Sequence, residues 1–347
     1  MLKVLSNNDA YELVKNSFTC LDAERVIFNK SYKSEPQKLN LKDCLYSKIA
    51  DDIIAKEGSP AFDRSTMDGF AVIAKDTFGS SESIPALLKL SGNINMGQAA
   101  TTDLNSGECM AIATGGMLPN IADSVVMKEY CEVHNDGTVE IQKAVSPGEN
   151  VIFKYDDIKP NEVLIKSGQV LLPHHIGTLA SLGITKINSY THTNKETNSK
   201  KPKVGIISTG DELVEISKTP KLGEIRDVNS YVLQACLQAC GCEPVLYGIV
   251  KDEYELLSNA VKKAMGECDC ILISGGSSVG QRDNTVKVLE EHGEILFHGL
   301  SIKPGKPTIL ASLQNKDKQI AAFGLPGHPV ASYYVFLELV TKHLCQN

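Results

Sequence analysis

The chain has 347 residues, 42% of them hydrophobic and 22% charged, the composition of a soluble globular protein; a disordered or fibrous one is excluded. Single cores stop growing near roughly 250 to 300 residues, so more than one domain is expected. The formal charge of -7 argues against a general nucleic-acid binder, which needs a basic face to displace counterions from phosphates, so an anionic ligand must meet a local basic pocket.

The first residues carry no charged segment followed by an apolar core, and no run reaches about 18 apolar residues. Neither a leader nor a membrane span is expected, and the reading is cytoplasmic. Residues 8–30 repeat apolar positions at helical spacing, with Ala10, Leu13, Val14 and Phe18 on one stripe behind a cap at Asn7 or Asn8. A second helix is expected over 41–54. From about 60 to 142, short apolar runs alternate with Gly, Asn, Asp and Pro, the pattern of a small all-β module. Residues 151–187 predict a short strand, a turn at "SGQVLLP", and a helix over 174–182 that Gly183 ends. A polar linker follows. "KVGIIST", "CEPVLYGIV" and "CDCILIS" are then continuous apolar runs of strand length, separated by helices over 231–239 and 254–265. Strands without alternation are buried on both faces, which implies a parallel α/β sheet. The ten cysteines include C-x3-C-x-C at Cys236, Cys240 and Cys242 and C-x-C at Cys268 and Cys270, but no C-x2-C pair, so buried free thiols are expected.

In such a sheet, ligands bind beyond the carboxyl ends of the strands. Ser208, Thr209, Gly210, Asp211 and Glu212 follow the first strand, Asp252 and Glu253 the second. Gly275-Gly276-Ser277-Ser278-Val279-Gly280, with Asp283 behind it, follows the third. A glycine-rich loop running into a helix can offer N–H groups and hydroxyls to a phosphate. It can also simply turn the chain, with the serines as caps. Downstream, Lys303 and Lys306 frame a Pro304-Gly305 turn, a compact anion site in an acidic protein. Asp211, Glu212, Asp252 and Asp283 fall on one rim, where carboxylates can hold Mg²⁺ between phosphates.

Six stretches carry a resemblance. "SPAFDRSTMDGFAV", "ATGGMLPNIADSVVMKE", "IISTGDEL", "SGGSSVGQRDNT", "IKPGKP" and "GLPGHP" follow, in this order, the motifs of the molybdopterin molybdenumtransferases, the MoeA family, which the chain resembles over nearly its whole length. The resemblance implies an α/β plus β fold. It comprises an N-terminal mixed α/β dimerisation domain from 1–45 and 145–200, an inserted β-rich domain at 46–144, and a doubly wound α/β molybdopterin-nucleotide-binding domain at 201–347. It implies an enzyme that takes adenylylated molybdopterin and molybdate, inserts the metal and releases AMP, with no nucleic acid or membrane as partner. It also implies a homodimer whose active site is shared between subunits, Asp68 and Thr114 coming from the partner. By motif, Asp68, Thr114, Glu212, Asp252 and Asp283 would be catalytic. Asp157, Ser208, Thr209, Gly210, Asp211, Gly275, Gly276, Ser277, Ser278, Gly280, Lys303, Pro304, Lys306 and Ser332 would bind substrate. Asp211, Asp252 and Asp283 would hold Mg²⁺.

The chain departs from the family pattern in places. Ile152 stands for an arginine, Tyr155 for a glycine and Asp156 for a glutamate, while Asp157 is kept. Gly299 stands where lysine is common; His328 and Ala331 replace asparagine and serine beside Ser332. The further β-barrel domain of about 70 residues that usually follows is not in this sequence, a size typical of a small domain. The departures leave open a non-catalytic or divergent paralogue that binds the pterin nucleotide or a partner. A molybdopterin adenylyltransferase also carries this α/β module, but the 200 residues ahead of the module count against it.

Overall fold

The computed structural model describes residues 4–25, 31–94, 97–100, 102–192, 201–275, 284–316 and 318–345. The chain forms two compact units, one from Met1–Ile53, Ile165–Lys218 and Arg226–Asn347, the other from Ile54–Leu164 and Thr219–Ile225.

The first unit is built on a six-stranded sheet, whose strands are labelled here in chain order: β1 (Lys203–Thr209), β2 (Glu243–Val250), β3 (Cys270–Ser274), β4 (Gly293–His298), β5 (Ile309–Asn315) and β6 (Lys318–Leu325). They lie in the order β2-β1-β3-β6-β5-β4. The first four positions are parallel, as the continuous apolar runs require. Successive side chains of β1 point to opposite faces: Val204 and Ile206 pack with Val232, Leu233 and Leu237, and Ile207 packs with Leu257, Val261 and Ala264. Burying each such side chain contributes about 1.5 to 3 kcal/mol. The helices that supply these partners, Val228–Ala239 and Tyr254–Glu267, lie where the sequence places them. The sheet is not wholly parallel, because β5 and β6 pair antiparallel out to Asn315↔Lys318. Two residues between strands leave room only for a hairpin, whereas a parallel connection needs a dozen or more.

Two expected helices differ. The first spans Asn7–Ser17, capped by Ser6 rather than Asn7 or Asn8, with the Asp9 N–H donating to Ser6 Oγ at 3.1 Å. It stops short of residue 30 because the chain beyond it bonds elsewhere: Leu21 N–H donates to His343 O and Ala23 N–H to Leu344 O. The helix expected over 41–54 does not form. Leu41–Asp43 make a single 3-10 turn, Tyr46 takes φ +61, and Lys48–Ile49 join a three-stranded antiparallel sheet with Lys186–Tyr190 and Gln37–Asn40. Long-range pairing has overridden a local apolar spacing. The helix Pro173–Ser181 ends as expected before Gly183, which adopts φ +69.

The second unit holds a six-stranded sheet in the order Ser124–Met127, Gly69–Val72, Glu108–Ile112, Ala86–Ile94, Thr138–Ile141, Cys131–Val133. All neighbours are antiparallel except Ala86–Ile94 with Glu108–Ile112. Both faces are buried, Phe70, Val72 and Val126 on one and Ala71, Ile73 and Val125 on the other. All ten cysteines are free, and among the described residues no helix is long and apolar enough to cross a membrane.

Candidate functional site

At the rim of the parallel sheet, β1 ends in Ser208 and Thr209, each 1% exposed. The Ser208 hydroxyl shares a 2.7 Å hydrogen bond with Ser230 Oγ, and Ser230 donates to the buried carboxylate of Asp227, which caps the helix Val228–Ala239. Ser208 is therefore engaged by the protein itself. Beyond it, Glu212 folds back over Gly210, where an added Cβ would lie 2.7 Å from Glu212 Oε1. Burial, aided by the charges of Asp211 and Asp252, raises the Glu212 carboxyl above the usual carboxylate range. Asp211 Oδ1 accepts the Asp252 N–H at 3.4 Å. Asn284 donates to Asp252 O at 2.8 Å and to Asp252 Oδ1 at 3.1 Å, so the sequence-predicted pair Asp211 and Asp252 is brought together and braced by an asparagine that the sequence reading did not single out.

Gly275 ends β3 with its N–H donated to Leu325 O at 3.3 Å. Its φ is +96, and a Cβ there would meet Thr209 O at 2.1 Å, so only glycine fits. Asn229, also not foreseen, donates to Ser274 Oγ at 2.6 Å and to Gly327 O at 2.8 Å, joining the end of β3 to the turn behind β6. Thr209 Oγ1, Asn229 Oδ1 and Ser332 Oγ are buried without a hydrogen-bond partner. Gly276, Ser277, Ser278, Gly280 and Asp283 lie outside the described residues. Lys303, Pro304 and Lys306 are exposed. Their turn is closed by Thr308, whose hydroxyl donates to Gly305 O at 2.6 Å and whose N–H donates to Lys306 O at 2.9 Å.

In the second unit, Asp68 and Thr114 meet. Thr114 donates both its N–H, at 2.9 Å, and its hydroxyl, at 2.8 Å, to Asp68 Oδ1. Lys128 Nζ lies 3.3 Å from Asp68 Oδ2. Partial burial alone would raise the Asp68 carboxyl, but the Thr114 donors and the Lys128 ammonium outweigh it and hold the group below its ordinary value. Asp157 has a different partner, Arg64, with Nη2 and Oδ2 3.7 Å apart. Neither Lys128 nor Arg64 was singled out in the sequence: each is a single basic position, and only the fold brings its acid beside it.

Among the described residues no three His, Cys, Asp or Glu side chains gather as a metal cluster. Asp211 and Asp252 nevertheless fit Mg²⁺, a hard cation that is usually held by one or two carboxylates with substrate phosphates completing its shell.

Residues 5–183 match the family described as "MoeA N-terminal region (domain I and II)", and residues 205–346 match "Probable molybdopterin binding domain". A protein of Methanocaldococcus jannaschii named for molybdopterin biosynthesis is 38% identical over 338 residues, 94% of this chain and 79% of that one. The molybdopterin molybdenumtransferase of Haemophilus influenzae is 34% identical over 310 residues, 89% of this chain and 72% of that one. Among solved structures, a molybdopterin biosynthesis moea protein from Pyrococcus horikosii is 34% identical, covering 99% of this chain and 80% of that one with a TM-score of 0.42.

Proposed function

Because the chain belongs to the MoeA family, we propose that it inserts molybdenum into adenylylated molybdopterin with release of AMP, as the final step of molybdenum cofactor biosynthesis. The observation that carries the reading is the match to a molybdopterin molybdenumtransferase over most of both chains. The side chains described above have the chemistry the reaction needs. Lys303 and Lys306, exposed on a braced turn, meet the oxyanion and phosphates. Asp211 and Asp252, with Asp283 as the third acid, would hold Mg²⁺, which when bound offsets the negative charge of the pyrophosphate being cleaved. Glu212, whose carboxyl burial holds above the ordinary range, lies over Gly210 on the same rim.

On this reading the acting species is a cytoplasmic homodimer. Residues 1–45 and 145–200 form the dimerisation domain, 46–144 the inserted β-rich module, and 201–347 the nucleotide-binding domain. Asp68 and Thr114 of one chain then serve the acids and lysines of its partner. A second reading, a paralogue that binds the pterin nucleotide without turning it over, is favoured by one feature. Gly299, where lysine is common in the family pattern, adopts φ +115, a conformation that favours glycine.

The test is incubation with adenylylated molybdopterin, Mg²⁺ and molybdate, with AMP measured chromatographically. Release that rises with molybdate supports the insertase. Tight nucleotide binding with no AMP at any molybdate concentration sinks it and leaves the paralogue.

A further inference from the structure

Asp68 is set by its neighbour. A Cβ on Gly69 would lie 1.9 Å from Val126 O, so glycine alone lets the strand Gly69–Val72 lie this close to Ser124–Met127 in the register Gly69↔Met127. That register sets Lys128 directly beside Asp68. Lys128 is then tied to Asp68 twice, through its N–H to Asp68 O at 3.0 Å and through Nζ to Asp68 Oδ2 at 3.3 Å. The other carboxylate oxygen already accepts two donors from Thr114, which follows the strand Glu108–Ile112 on the other side. Lys128 is the charged group that acts on Asp68 from these flanking strands, and Thr114 acts through a neutral N–H and hydroxyl. A partly exposed pair of this kind, with side chains 52% and 35% exposed, is worth little to stability.

We propose that Lys128 is a positioning residue for the transfer reaction: it fixes the second oxygen of Asp68 in one direction. The inference rests on the function proposed above, in which Asp68 works in turnover. Lys128 itself touches no reacting atom in this account and acts only through Asp68.

Two measurements on the full chain separate the inference from the function it rests on. The first follows the Asp68 carboxyl by NMR in protein labelled with 13C-aspartate, its signal assigned by loss in Asp68→Asn. Lys128→Met should move its titration to higher pH, and Lys128→Arg should restore the parent titration. The second is the pH profile of molybdate-dependent AMP release. In Lys128→Met the acid limb of kcat should move upward with the carboxyl, with kcat lower by roughly two- to fivefold near neutrality, and Lys128→Arg should recover both. An unchanged Asp68 titration in Lys128→Met overturns the inference whether or not the parent releases AMP. A shifted titration with an unshifted kcat profile overturns it too. A parent that releases no AMP refutes the function, while the titration still decides whether Lys128 governs Asp68.

Discussion

His343 is 3% exposed, set edge-on to Phe18 with ring centroids 5.5 Å apart, and neither of its ring nitrogens has a hydrogen-bond partner. Burial pushes its pKa down to about 4, against about 6.5 for a free imidazole. Between those two values the unfolded chain binds a proton that the folded chain refuses. The stabilisation is therefore complete above pH 6.5 and is lost as pH falls toward about 4, by about 3 kcal/mol at roughly 1.4 kcal/mol per unit. His343→Leu should remove this dependence. Urea midpoints at pH 7 and pH 4.5 would check it: parent and variant falling in parallel would show that some other group drives acid unfolding. The same scale separates what the sequence could give from what it could not. Asp68 and Thr114 were legible because each sits in a motif. Lys128, 60 positions from Asp68, needed the strand register, and the Ser230 hydroxyl that shares a hydrogen bond with Ser208 needed the fold. Tyr155 stands for a glycine yet adopts φ +67, the conformation a glycine would favour, with its ring against Gly58.

At the scale of the element, the joint between β1 and β3 is the most constrained point of the rim. Gly275 combines φ +96 with a Cβ position 2.1 Å from Thr209 O, so no rotamer change can relieve the overlap, because the obstacle is backbone. Gly275→Ala should cost more than about 2 kcal/mol, the left-handed strain of a non-glycine residue plus the separation of two paired strands. Thermal unfolding of the variant checks this, and a Tm within a degree of the parent would mean that the turn relaxes freely. The parallel strands themselves were legible because β1 and β3 are buried on both faces and read as unbroken apolar runs. The helix expected over 41–54 was not, since its apolar spacing suits a helix as well as a strand, and the deciding contacts, Tyr46 N–H to Leu171 O and Ile49 N–H to Gln169 O, come from more than a hundred residues away. The antiparallel pairing of β5 with β6 hung on a two-residue connection that apolar patterning does not register.

For the whole molecule, the chemistry proposed here divides between two sets of residues in different units of the chain: Asp68 and Thr114 in one, Asp211, Glu212, Asp252 and the lysines in the other. If a homodimer completes each active site with Asp68 from the partner, the assembly should have twice the 37.6 kDa mass of the chain by light scattering. The sharper consequence is complementation. Asp68→Asn and Asp252→Asn chains should each be inactive as homodimers, because every site lacks one acid. When equal amounts exchange subunits at random, about half of the dimers are mixed, and two-fold symmetry puts both lesions into one site of each mixed dimer and leaves its other site intact. AMP release should then return to about a quarter of the parent rate at the same total chain concentration. If each site is built within one chain, every site in the mixture keeps a lesion, and the mixed sample stays as inactive as its parts.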